Sequence, residues 1–337
     1  MGTSAFGRHA RQVTADRRAA DVGASRQKYR LPGLRFAVEW FWISRTTNRK
    51  LRIMYSSIVL VKQVPDTANV TTDAMKEDGT VNRAALPAIF NPEDLHALEA
   101  ALELKQRYGG SVTVLSMGPP KAADVLRDCL YRGADRAILL TDRRAAASDT
   151  LATSYILSQA VKTVGNYDFV FAGRQAIDGD TAQTGPQCAE KLGIPQITYA
   201  EEITEVSNGK ATIKRNIGNG WERVRVKLPV LLTVVETANE PRPLAAKKMM
   251  KHKNDRIPAE VAAEQQAALK AKGRLLEQWN LDDIDADLTR CGVAGSPTKV
   301  FRIQSIVLKK EGFTEVAPTK DGISNLVCEL VADKTLG

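Results

Sequence analysis

Histidine and cysteine are both scarce in this chain of 337 residues. His9, His96 and His252 stand far apart, which leaves hydrolytic triads and histidine-rich metal sites little to work with. Cys129, Cys188, Cys291 and Cys328 show no CxxC or Cys/His spacing, so no zinc site is expected. They read as reduced thiols in a cytosolic-type compartment, and the protein is expected to be cytoplasmic. No apolar run approaches membrane-spanning length, so the chain is not expected to cross a membrane. There is no GK[ST], hence no P-loop, and no GxGxxG follows the first strand. Internal repeats and low-complexity tracts are missing too. No side chain stands out as a general acid or base, and no catalytic residue is assigned.

Acid is in short supply only at the start. Residues 1–52 carry 12 of the 48 Lys and Arg but 3 of the 39 Asp and Glu, so the rest of the chain holds 36 of each. The net charge of +9 therefore belongs to the leader, and the body is neutral. A nucleic-acid partner is not expected: the basic run KKMMKHK (247–253) lacks interleaved aromatics and reads as a solvated face or a protein-docking surface. The leader, rich in Arg, Ser and Ala, fits three descriptions: a transit peptide, a disordered arm, or an over-long translation start with Met54 as the natural one. The nearness of Met54 to the first strand favours the third.

From residue 57 strands and helices alternate. SIVLVKQVP (57–65), SVTVLSMG (111–118), RAILL (136–140) and DFVFAG (168–173) are apolar runs of strand length. Helices are expected over 92–110, 119–133, 148–165 with Ser148 as cap, and 181–193. Asn91 suits the first helix as N-cap, Pro92 its first turn, and Glu93 and Asp94 its dipole. This alternation implies an α/β fold: a parallel sheet covered on both faces, with ligands at the carboxyl ends of its strands. QITYAEEITEV, ATIKRNI and WERVRVK, joined by NG turns, read as an antiparallel hairpin insertion, and LPVLLTVVE (228–236) as a further buried strand. The division expected is a basic leader (1–55), a nucleotide-binding α/β domain (56–255), and a C-terminal helix and arm (256–337). From about residue 281 that arm is polar and turn-rich, as a segment ordered by a partner would be.

GRQAIDGDTAQTGP (173–186) sits where the fourth strand hands over to a helix. Asp180 with Gln183 has capping-box character, which would leave the N–H groups of Thr181, Ala182 and Gln183 at the sheet mouth for an anion. Thr181 and Thr184 add hydroxyls, and Gly179 and Gly185 permit close backbone approach. A well-capped helix beside a tight loop explains the same pattern without a ligand. Lys62 reads as a solvated charge at the end of the first strand. It shares one edge of the sheet with IFNPED, LSMGPP and the 173–186 turn, and that convergence favours a nucleotide site.

These residues together resemble the beta subunit of electron transfer flavoprotein. The resemblance covers about residues 56–330 and rests on GRQAIDGDTAQTGPQ, IKRNIGNGWERVRVKLPVLLTVVETANEPR, VKQVPD, NPEDLHALEAAL and GADRAILLTD. It implies a parallel-sheet nucleotide-binding fold of the adenine nucleotide alpha hydrolase-like type. It also implies a heterodimer with an alpha subunit that carries the electron-transferring FAD, contacted by the C-terminal arm. In one type the beta subunit holds a structural AMP. In the electron-bifurcating type it holds a second FAD that takes hydride from NADH. The nucleotide contacts it implies fall on Leu60, on Asn91, Pro92, Glu93 and Asp94, and on Met117. They continue through Ala176, Ile177, Asp178, Gly179, Asp180, Thr181, Ala182, Gln183, Thr184, Gly185, Pro186 and Gln187. Arg174 is a candidate for tuning the flavin, or equally for a phosphate or inter-subunit contact.

The wording of the 173–186 stretch resembles the bifurcating group, because the AMP type carries a third carboxylate where Gly179 stands. FAD is then the expected cofactor, with AMP as the alternative. A dehydrogenase or quinone reductase is the implied redox partner. One departure is that Ala246 occupies the approximate place of the leucine by which the AMP type anchors acyl dehydrogenases, so docking by that anchor is not expected. A nucleotide-sensing module of the same fold is the third reading.

Overall fold

Ile58, Val59 and Leu60 bury side chains on both faces of β1 (Tyr55–Leu60), as a strand in the middle of a parallel sheet requires. The computed structural model describes residues 54–66, 86–298 and 315–332, and the expectations about the leader lie outside them. The single strand expected over 57–65 divides. The Lys62 N–H turns out of the sheet to the Asp94 carboxylate, and β2 (Gln63–Pro65) pairs antiparallel with β3 (Ala88–Phe90) instead. Then follow α1 (Pro92–Tyr108), β4 (Gly110–Met117), α2 (Ala123–Arg132), β5 (Arg136–Leu140), α3 (Thr150–Val164), β6 (Phe169–Gly173) and α4 (Thr184–Leu192). The hairpin strands β7 (Gln196–Ser207), β8 (Lys210–Asn216) and β9 (Trp221–Lys227) precede β10 (Val230–Val234). The chain goes on through α5 (Ala246–His252), α6 (Ala263–Ala271), β11 (Glu277–Trp279) and α7 (Lys320–Ala332).

Among the described residues the main sheet runs in the order β11-β5-β4-β1-β6-β10-β7-β8-β9. Every pair from β11 to β7 is parallel, and in that sheet only the β7–β8 and β8–β9 pairs are antiparallel. The α/β fold with an antiparallel insertion is the one expected. Asn208 and Gly209, at φ 51° and 67°, make the β7–β8 turn that an Asn-Gly pair favours.

Leu98 and Leu102 of α1 and Leu126 of α2 pack on one face of the sheet, while Ile156 of α3 and Cys188 of α4 pack on the other. The chain therefore winds one way from β1 to β5 and the other way from β6 onward. The reversal falls between β1 and β6, where such sheets open a crevice at their carboxyl ends.

The tail departs from expectation. Trp279 of β11 pairs with Leu140, and Leu281, Ile284 and Cys291 are buried in the α3-side core. Residues 277–291 thus lie on the body itself. Their apolar side chains are separated by turns, so they have no period to read. Farther on, Ile323, Leu326, Val327 and Val331 line one side of α7 and are all exposed. No helix among the described residues is long and apolar enough to cross a membrane.

Candidate functional site

The crevice between β1 and β6 opens into a cavity of about 400 Å³. Its apolar wall is Leu60 of β1, Leu115 and Met117 of β4, Ala172 of β6 and Leu157 of α3. Its polar wall is the loop after β6 together with the start of α4: Arg174, Ala176, Gly179, Thr181, Ala182, Gln183, Thr184 and Gly185. Eleven of the nineteen expected contacts are thus gathered here, counting Leu60, Asp94 and Met117 with that loop.

The loop does not form as the capping-box pattern suggests. α4 begins at Thr184 with Gln183 as its N-cap, so Asp180 is not the cap. Asp180 and Ala182 instead take positive φ, 47° and 52°, and the Asp180 carboxylate accepts from Gln175 Nε2 at 3.0 Å. The first-turn N–H groups that lack helical partners are those of Thr184 and Gly185, since Pro186 has none. The extra residues span the crevice: Lys62 Nζ donates to both Asp178 oxygens at 2.7 and 2.8 Å, tying the end of β1 to the loop. Lys62 is therefore an ion-paired strut and not simply a solvated charge.

The Asn91–Asp94 motif supports the loop from behind. Asn91 occupies the N-cap position of α1 but makes no capping bond. It is fully buried, its Nδ2 donates to the Gln175 carbonyl at 2.9 Å, and its Oδ1 accepts from Ile177 N at 3.2 Å. Glu93 accepts from the Arg174 guanidinium at 2.7 Å and from Gln175 N at 2.8 Å. Asp94 accepts from Gly173 N and Lys62 N, both at 2.9 Å, and so joins the ends of β1 and β6. Gly173 has to be glycine, because a Cβ there would stand 2.5 Å from Asp94 Oδ1. Burial pushes the Asp94 carboxyl up to about 7, against the opposing hydrogen bonds from Gly173, Asn91 and Lys62. Of the four motif residues only Asp94 faces the cavity. Asn91, Pro92 and Glu93 do not line it, nor do Ile177, Asp178, Asp180, Pro186 and Gln187.

The start of α3 supplies a wall that the sequence reading left out: Ala145, Ala147, Ser148, Asp149, Thr150 and Thr153. The cap of α3 is Asp149 and not Ser148, with Oδ1 accepting from Ala152 N at 2.9 Å. Burial raises the Asp149 carboxyl, and the N–H groups of Ala152 and Thr298 outweigh that, leaving it below its ordinary range. Thr150 Oγ1 donates to Gln183 Oε1 at 3.1 Å, joining the two helix starts. The signal for this wall was the Ser-Asp-Thr run after β5, a capping run at a strand's carboxyl end.

The electrostatics follow from the pairings. Lys62 is matched by Asp178 and Arg174 by Glu93, so these side chains bring little net charge to the cavity. The Glu93 hydrogen bond raises the Arg174 guanidinium further, and that guanidinium also sits 5.8 Å from the Tyr199 ring centroid. The start of α3 already holds the Asp149 carboxylate, so the attraction for an anion falls to the first-turn N–H groups of α4, those of Thr184 and Gly185. Phosphates against those N–H groups and a flat apolar ring against Leu60, Leu115, Met117 and Leu157 is the division of chemistry this cavity suits.

The Electron transfer flavoprotein domain model matches residues 78–265. The chain is 44% identical over 273 residues to the electron transfer flavoprotein subunit beta of Clostridium acetobutylicum, covering 81% of this chain and 96% of that one. The chain belongs to the electron transfer flavoprotein beta subunit family. It is 40% identical to the caffeyl-CoA reductase-Etf complex subunit CarD of Acetobacterium woodii, over 82% of this chain and 98% of that one. It is 39% identical to the acryloyl-CoA reductase electron transfer subunit gamma of Anaerotignum propionicum, over 81% and 97%. The matched domain includes the Asn91–Asp94 motif, the whole 173–187 loop and the hairpin, so the cavity of this beta subunit lies largely inside it.

Proposed function

We propose that this chain is the beta subunit of an electron-bifurcating flavoprotein: with an alpha subunit that carries its own FAD, it holds a second FAD in the crevice between β1 and β6. When bound, that flavin supplies hydride acceptance from NADH and delivery of one electron to the alpha-subunit FAD and one to a low-potential acceptor. The protein's part is to bind, orient and exclude water. The N–H groups at the start of α4 hold phosphates, with the hydroxyls of Thr150, Thr153, Thr181 and Thr184 beside them. Asn91, Glu93 and Asp94 fix the loop that leads into that helix. A dehydrogenase or quinone reductase completes the redox chain, in a cytoplasmic setting. The C-terminal arm engages the alpha subunit, for which the uncovered apolar side of α7 is suited.

The observation that carries this reading is Gly179. It lines the cavity, a Cβ built on it meets nothing within 4 Å, and its φ is not one that only glycine adopts. The protein itself does not require glycine there. What the missing side chain leaves is space at the phosphate end of the cavity, which a dinucleotide uses and a monophosphate does not. The reductase complexes in the names of the Acetobacterium and Anaerotignum relatives favour the same reading.

The second reading, a non-bifurcating carrier whose beta subunit holds AMP, is favoured by the cavity's size: about 400 Å³ within this chain suits a nucleoside with its phosphates. A flavin count on the purified heterodimer separates the two. Two FAD per pair, with rapid bleaching of one by NADH in stopped flow, is expected. One FAD with AMP and no NADH reaction refutes bifurcation.

A further inference from the structure

Ile197 and Ala200 of β7 are both buried in the core on the α1 side, three residues apart. Strict alternation along a strand would place Tyr199 in that core beside Ile197, not Ala200. A β-bulge makes the difference. Leu232 of β10 stands opposite Ile197 and Val234 opposite Ala200, so Thr198 and Tyr199 together face Thr233. Parallel pairs rarely carry such a bulge, and bulges elsewhere re-aim a side chain beside a functional site. Tyr199 takes φ 56°, a backbone that glycine adopts freely and a bulky residue adopts only under strain. Its N–H leaves the ladder and donates to Thr233 Oγ1 at 3.3 Å.

Burial does not offset that strain, since Tyr199 is 39% exposed. Bending the sheet where it passes from parallel to antiparallel would account for a bulge, but Gly or Asn would serve that turn better than Tyr. What the side chain meets is Arg174, whose guanidinium lies 5.8 Å from the ring centroid. Arg174 stands on the far side of β10: its N–H donates to the Val234 carbonyl at 2.9 Å, and Val234 lies opposite both Gly173 and Ala200. Glu93 of α1 holds the same guanidinium at 2.7 Å. Arg174 lines the cavity, and neither of the two residues that hold it does.

We propose that Tyr199 is a positioning residue for the cofactor cavity, acting through Arg174. With its ring against the guanidinium and Glu93 bonded to it, the cation stays fixed in the cavity wall instead of swinging into solvent. This rests on the reading of the cavity as a flavin site. A fixed cation there favours the gain of negative charge on reduction, and so makes the flavin easier to reduce.

The test is a spectroscopic redox titration of both flavins in the purified heterodimer, with a melting curve of each variant. Tyr199→Gly relieves the backbone and removes the ring. It should melt no lower than wild type, yet make reduction of one flavin about tenfold less favourable, which is ~30 mV for a two-electron couple. Tyr199→Phe keeps the ring and should titrate as wild type does. Arg174→Gln should lower the same potential at least as far, and adding Tyr199→Gly to it should change nothing more, because the two act as one unit. Should Tyr199→Gly not fold, Tyr199→Asn also tolerates the left-handed backbone and carries the same test. If Tyr199→Gly leaves both potentials unmoved, or its effect adds to that of Arg174→Gln, the inference is overturned while the flavin site stands. If the wild-type heterodimer holds one FAD and AMP, the flavin reading falls and the inference with it.

Discussion

Asp94 joins the two strands that border the crevice and does so as a buried acid. Its carboxyl sits at about 7 in the folded protein against 3.8 as a free side chain. Between those values the folded state keeps a proton that the unfolded chain has released, so stability falls as pH rises. One proton corresponds to about 1.4 kcal/mol per pH unit, hence about 2 kcal/mol between about pH 5 and about pH 6.5. Asp94→Asn removes the titration. It also costs a constant amount, because the Asn amide presents one acceptor where Gly173 N and Lys62 N need two. The stability difference between wild type and Asp94→Asn should therefore be largest near pH 5 and shrink by about 2 kcal/mol toward pH 6.5. Urea unfolding of both proteins at the two pH values, at fixed ligand concentration, measures this directly. Every other carboxylate titrates alike in the two proteins and cancels. A difference that does not change with pH would refute the argument that burial holds the proton on this group.

Three further outcomes follow from the same geometry. Gly179→Asp should leave the melting temperature nearly unchanged, because its side chain meets only open space, yet should lower FAD per heterodimer; flavin absorbance after gel filtration reads this, and full flavin content would count against the cavity assignment. Asn91→Ala should cost about 1–3 kcal/mol, through the Gln175 carbonyl and Ile177 N–H it leaves unpaired, and should weaken nucleotide retention although Asn91 does not line the cavity; denaturant midpoints and dialysis measure the two effects separately. Among the cysteines, exposed Cys328 should react quickly with a maleimide. Buried Cys129 and Cys188, whose thiols burial pushes up, the latter to about 12, should react only on unfolding, as peptide mapping would show.

The alternating part of the fold was legible because its strands are apolar runs of five to eight residues and its helices carry their own stop signals. RAILL became β5 at both ends, and Gly133, Gly165 and Gly193 each follow the last residue of a helix. Strand order was not legible, since pairing is decided by long-range packing. The placement of α3's start beside β1 and β4 depends on that order, and with it one wall of the cavity. The tail was misread for the opposite reason: Leu281, Ile284 and Cys291 are buried one at a time between turns, and isolated apolar residues look like solvent-facing ones in a sequence.

Within the site, the loop after β6 shows how a local rule yields to a tertiary one. Asp180-Thr-Ala-Gln satisfies a capping box, worth about 1 kcal/mol if formed there. Forming it would start the helix at Thr181 and draw the chain into a coil before it had crossed the crevice. The observed loop instead makes the bond from Lys62 to Asp178, two from Asn91, and the Glu93 bonds to Arg174 and Gln175. Two of its residues take positive φ to do so. Several bonds to a partly buried loop outweigh one cap. The same exchange explains the Asn91–Asp94 motif. Its position at the crevice was readable from the sequence, but three of its four residues turn away from the cavity. A residue that shapes the wall and a residue that faces the cavity occupy the same stretch of chain, and only the direction of each side chain separates them.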